Sequence, residues 1–181
     1  MKIIRIFETN DQGLYSIWYD GESTDEFDRL FGLWQNVEYL ENFFNRNIND
    51  LSKPFYGSIS VENAVLLTLK DSREFQRQIL EIAKNETNKS GSLNYYFKPL
   101  DNISYKPDDL EKYKAYGTLR DSWIRIYAIK VSDNYFVITG GALKLTKKMS
   151  DRIHTKKELE KLDRCRDYLR SLGIFDEKGL K

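Results

Sequence analysis

The sequence predicts an α+β protein: a twisted antiparallel sheet with flanking helices, an N-terminal hairpin and helical segment, and a C-terminal amphipathic helix. Three observations lead there. Two pairs of alternating apolar runs, each pair joined by a short polar turn, read as hairpins. Between and after them, apolar residues recur at three- and four-residue intervals, the helical period. The 181 residues are 40% hydrophobic and 14% aromatic with ten Gly and three Pro, enough for a core and too little punctuation for a low-complexity chain. That length fits a single domain over 1–181, with an acidic helical sub-region at 24–84 and a basic sheet sub-region at 94–172 as its finer division.

The elements follow in order. KIIRIFE (2–8) and GLYSIWY (13–19) form the first hairpin around NDQG. After the DGES turn, Phe27, Leu30, Phe31 and Trp34 predict one helix, and Val37, Leu40, Phe44 and Ile48 a second, with Thr24 and Asn36 as N-caps. NDLSKPFYGS breaks the pattern. A long helix then opens at Ser60, its stripe formed by Val61, Val65, Leu69, Phe75, Ile79 and Ala83 and widened by Leu66, Leu80 and Ile82. NETNKSGSL (85–93) is a loop. NYYFK (94–98) fits a strand stopped by Pro99, and PDDLEKYKAY fits either a helix from Pro107 or a strand at its end.

The second hairpin is the most regular stretch. Trp123, Arg125, Tyr127, Ile129 and Val131 alternate with Ile124, Ile126, Ala128 and Lys130, SDN turns, and Tyr135 to Thr139 alternate again. Both faces are largely apolar, which predicts a central pair covered on both sides. Gly140-Gly141 permits a bulge or bend, and ALKLT (142–146) either continues the strand or starts another. Thr155 and Glu158 have capping-box spacing ahead of a stripe at Leu159, Leu162, Cys165, Leu169 and Leu172, closed by Gly173. The tail is expected to fray after Phe175.

Composition narrows the function. One cysteine, Cys165, allows no internal disulfide and no cysteine zinc site, and one histidine, His154, allows no histidine-based metal site. No metal and no cofactor is expected. Phosphate-loop, dinucleotide, kinase and nucleophile-elbow motifs are absent from the sequence. No run approaches the length of a membrane span, and the start lacks the apolar core of a signal peptide, so a cytoplasmic protein without a membrane partner is expected. Residues 1–90 carry 10 Lys and Arg against 15 Asp and Glu, and residues 91–181 carry 19 against 13. This split points to a basic partner-binding half, or to two halves that attract each other.

The candidate site is therefore the basic and aromatic set around the second hairpin: Lys112, Lys114, Arg120, Lys144, Lys147, Lys148 and Arg152 as RNA-binding residues, with Arg125, Tyr127 and His154 as catalytic candidates. Guanidinium forks and ammonium groups hold phosphates, and tyrosines stack on bases. Phosphodiester cleavage without a metal needs charge at the non-bridging oxygens and proton transfer at two others, which Arg, Lys, Tyr and His supply. Lysines at a strand end also serve solubility and edge protection. Arg125 stands apart because its strand looks central, so its charge needs a partner or a cleft. Acidic pairs such as Asp108-Asp109 and Glu158/Glu160 read as helix N-terminal charges.

Residues 96–170 resemble the C-terminal sheet and helix of the RelE/ParE-like toxins, the HigB-like branch in particular. The resemblance rests on Phe97-Lys98-Pro99-Leu100, the strand Trp123-Ile-Arg125-Ile-Tyr127, Phe136 to Gly141, the run Leu143-Lys144-Leu-Thr146-Lys147-Lys148, and the helix from Thr155. The hairpin is also similar to proteins common in Bacteroides-type bacteria, which imply no activity. The toxin resemblance implies a metal-independent endoribonuclease acting on mRNA, often on the ribosome, and an antitoxin partner. Arg125 would then hold the scissile phosphate, the lysines the backbone, and Tyr127 or His154 would assist proton transfer while the RNA 2′-hydroxyl attacks. The chain is longer than a usual member, and its acidic helical half is foreign to the family. A non-catalytic RNA- or protein-binding module of a bacterial regulatory or toxin-antitoxin system is the alternative.

Overall fold

Most of the expected strands and helices can be located in a computed structural model, which describes residues 1–51, 59–82, 92–100, 110–119, 121–146 and 152–180. Arg120, Lys147, Lys148, Ala83, Pro107 and most of the 85–93 loop lie outside the described residues. The order is β1 (Lys2–Glu8), β2 (Gly13–Trp18), α1 (Glu26–Trp34), α2 (Val37–Arg46), α3 (Ile48–Leu51), α4 (Val61–Ile82), α5 (Leu93–Tyr96), β3 (Lys98–Pro99), β4 (Glu111–Tyr116), β5 (Ile124–Ser132), β6 (Tyr135–Leu143) and α6 (Ile153–Ser171). The strands form one sheet in the order β1-β2-β6-β5-β4-β3. All neighbours are antiparallel except β2 and β6, which run parallel, so the sheet is mixed.

Pleat alternation sends β5 and β6 side chains into two cores. Ile124, Ile126, Ala128, Phe136, Ile138 and Leu143 face α1–α4 and pack on Phe31, Trp34, Phe44 and Phe75. Tyr127, Ile129, Val131, Val137 and Ala142 face α6 and pack on Leu162, Cys165 and Leu169. The pair is thus central and covered on both sides, as two apolar faces require. Trp123 departs from the expected face. It precedes the strand, joins the α1–α4 core, and its indole N–H donates to Thr68 Oγ1 at 2.8 Å.

The two glycines do not end β6. Tyr127 pairs with Gly140 and Ala128 with Ile138, which leaves Thr139 as the extra residue of a bulge. Gly141 lies where a Cβ would stand 2.6 Å from the Arg125 carbonyl and 2.9 Å from Leu30 and Trp34. The bare backbone lets α1 approach the sheet there.

Several local expectations shift. Asp25, not Thr24, caps α1, accepting from Phe27 N at 2.9 Å and Asp28 N at 3.4 Å. Asn36 caps α2 as expected. Asn47 ends α2 and Ile48 begins the separate helix α3; Val37 and Ile48, expected on one apolar stripe, are both exposed. On α4, Leu66 and Leu80 face solvent, while Thr68, Asp71 and Ser72 are buried with hydrogen-bond partners. NYYFK is not a strand. Ser92 caps Asn94 N and starts the one-turn helix α5, and β3 follows as a two-residue edge. The tail folds back: Gly173 takes φ 72°, Ile174 is buried, and Glu177–Leu180 forms a 3-10 turn. Among the described residues, no helix is long and apolar enough to cross a membrane.

Candidate functional site

Strand register decides which basic residues meet. Residues opposite each other on paired strands share a face. Lys98 lies opposite Lys114, Lys114 opposite Tyr127, Lys112 opposite Ile129, and Tyr116 opposite Arg125, which itself faces Ala142. Tyr127, Ile129 and Ala142 belong to the α6-side core. Lys98, Lys112, Lys114, Tyr116 and Arg125 therefore share the α6 side of the sheet. Lys144 joins them by alternation, because Leu143 and Leu145 enter the opposite core.

Arg125 is held in place by its own strand. Its Nη1 donates to the Ser122 carbonyl at 2.6 Å and the Ile124 carbonyl at 2.7 Å. The guanidinium lies over the Tyr116 ring, 4.0 Å from its centroid, and Tyr116 is 43% exposed. This stack answers the need for a partner at a charged position on a central strand. Lys112 pairs with Asp163 of α6 at 2.8 Å, and Lys114 Nζ donates to the Leu100 carbonyl at 3.1 Å. Lys98 donates to the Asn94 carbonyl and lies over Tyr95. Sequence reasoning left Lys98 out of the site, since only the pairing of β3 with β4 brings it opposite Lys114.

The other candidates are placed elsewhere. Arg152 points to the helical layer and forks onto Asp50, its Nε and Nη2 lying 2.8 and 2.6 Å from the carboxylate. His154 rests edge-on against Phe43, with Nε2 3.2 Å from the Leu143 carbonyl. Both serve to dock the start of α6 on α2 and α3. Tyr127 is 1% exposed beneath α6, and burial pushes its phenol well above the ordinary range. A ring so enclosed cannot reach a phosphodiester, so the expected role of Tyr127 in proton transfer is corrected to core packing.

A second polar cluster, unforeseen from the sequence, lies where α1, β6 and α6 meet. Glu26, 1% exposed, accepts from Arg29 Nε at 2.6 Å and Nη2 at 2.8 Å, and from Lys161 Nζ at 3.1 Å. The same ammonium lies 3.3 Å from Glu158 Oε1. Glu158 was expected to serve a capping box. Instead α6 begins two residues before Thr155, whose hydroxyl donates to the Arg152 carbonyl, and Glu158 sits one turn further in, facing the sheet. Burial raises the Glu158 carboxyl above its ordinary range; Lys161 opposes the rise and Glu26 adds to it. Close by, Tyr19 donates to the Thr139 carbonyl at 2.7 Å and contacts Cys165 Sγ at 3.0 Å. Among the described residues, no group of three or more His, Cys, Asp or Glu side chains has the arrangement of a metal site.

No family model matches this chain, and neither a curated protein nor a solved structure does.

Proposed function

We propose that the protein is an RNA-binding module that seats a single strand on the α6 side of β3, β4 and the start of β5, beside the part of the sheet that α6 covers. One observation carries the reading: a common face that collects Lys98, Lys112, Lys114, Arg125 and Lys144 around an exposed tyrosine already stacked on a guanidinium. Single-stranded nucleic acid is held by cations along its backbone and by aromatic rings under its bases, and this face offers both. Lys98 and Lys114 also stand directly across from each other, a like-charge pairing that a bridging phosphate would relieve.

Metal-independent RNA cleavage, the activity implied by the toxin resemblance, is the second reading. The succession β4, β5, β6, α6 counts toward it, as does Arg125 on the shared face. The buried Tyr127 and the inward-docked His154 count against it, because cleavage needs proton transfer at the attacking and leaving oxygens.

The test is fluorescence polarisation with a labelled single-stranded RNA. Tyr116→Ala should weaken binding by about 1–3 kcal/mol, the usual worth of one base stack. Lys114→Ala should reduce the salt slope by about one. Binding that is absent at low salt, or that ignores both substitutions, overturns the proposal. The same RNA, run on a gel after incubation, separates the two readings. Intact RNA leaves a binding module, whereas cleavage lost in Arg125→Ala makes the protein a nuclease.

A further inference from the structure

Glu158 is an anomaly among the buried groups. Its Oε1 has Lys161 for company, but its Oε2 is buried without a hydrogen-bond donor. That oxygen lies against Gly140, where a Cβ would overlap it, and Glu26 Oε2 lies 3.3 Å from the same point. Two carboxylates thus converge on one bare stretch of β6, and the missing side chain at position 140 makes the room. Arg29 and Lys161 are both engaged by Glu26. An ionised Glu158 is therefore an underserved anion whose buried oxygen faces another anion. A protonated Glu158 removes that repulsion and gains an O–H to donate.

We propose that Glu158 is a proton-operated clasp between α6, β6 and α1: closed when its carboxyl carries a proton, and loosened when that proton leaves to solvent. Every charged or titratable neighbour bears on this. Glu26 and Arg29 face it from α1, Lys161 from its own helix, Tyr39 from α2, Tyr127 from β5 and Tyr19 from the end of β2. The phenols are raised by burial and stay neutral, so the balance lies among two carboxylates and two cations. Both cations are engaged by Glu26, and Lys161 reaches only one oxygen of Glu158. The direction follows from linkage. A carboxyl raised in the folded state adds stability below its unfolded value, and that stability is lost as pH rises through the folded value.

The experiment follows the Glu158 side-chain carbon by NMR across a pH series of the intact protein, with urea unfolding at each pH. The clasp requires Glu158 to titrate above the free-glutamate value of about 4.3. It also requires the urea midpoint to fall as pH rises from that free value through the value at which Glu158 titrates in the folded protein, with the folding constant losing about tenfold for each unit of elevation. Glu158→Gln, a neutral mimic of the acid, should flatten that fall and exceed the native protein at the alkaline end. Titration of Glu158 at or below the free value overturns the proposal, whether or not the Gln variant folds. So does a fall in the midpoint that survives Glu158→Gln unchanged.

Discussion

At the scale of single residues, three positions carry consequences out of proportion to their size. Gly141→Ala would drive a methyl to 2.6 Å from the Arg125 carbonyl, with Leu30 and Trp34 closing the other sides. Backbone cannot swing away as a side chain tip can, so the variant should lose about 1–3 kcal/mol in urea unfolding. Cys165 is fully buried and its thiol is pushed up to about 11, chiefly by burial. At pH near 8 it should resist iodoacetamide in the native protein and react once urea unfolds the chain, because the thiolate is the nucleophile. Glu158 shows why part of the candidate site was illegible. Its spacing from Thr155 satisfies a local rule, and the local rule is overridden by the start of α6 at Ile153. Nothing in the sequence around position 158 announces Glu26 or Gly140, which are remote in the chain. Arg125, by contrast, was legible: a guanidinium on an apolar central strand demanded a partner, and the Tyr116 stack supplies one.

At the scale of elements, α4 illustrates what periodicity can and cannot resolve. The helical stripe fixed Val65, Phe75 and Ile79 on the core side, yet it also claimed Leu66 and Leu80, which face out. Polar Thr68, Asp71 and Ser72 take the inward places because each has a partner there. Asp71 Oδ1 accepts from Thr118 N at 2.6 Å, Thr118 Oγ1 at 2.8 Å and Leu119 N at 3.1 Å, so the helix is pinned to the turn ahead of β5. Asp71→Ala should cost about 1–3 kcal/mol by leaving those donors unpaired, measured by thermal or urea melting. Phe75→Ala should cost about 3–5 kcal/mol, whereas Leu66→Lys should stay within about 0.5 kcal/mol. A reversal of the last two would mean that the helix is rotated from the orientation described. The strands were read more accurately than the caps, because alternation is a property of many residues and a cap depends on one hydrogen bond.

At the scale of the molecule, one sheet divides two cores, and neither is complete without it. Trp34 and Trp123 report on the α1–α4 side, and Cys165 on the α6 side. Tryptophan fluorescence and thiol protection should therefore lose their native signals at the same urea concentration, as a single cooperative unit requires. The α+β class was legible from the two hairpins and the helical runs. The parallel β2–β6 contact was not, since alternation gives no partner and the two hairpins could equally have stood apart.

Beside that contact, the Tyr19 hydroxyl bonds the Thr139 carbonyl across 120 residues of chain. Closing so long a span is slow relative to a local hairpin. During synthesis at about 5–20 residues per second, the first hairpin must wait roughly 6–24 s before its docking strand exists. Throughout that interval Tyr15 and Ile17, both buried in the α6-side core of the finished protein, have no permanent cover. Nascent chains stalled short of residue 135 should thus be clipped within the hairpin by proteases that spare the completed molecule, and the waiting period is when a chaperone has most to hold.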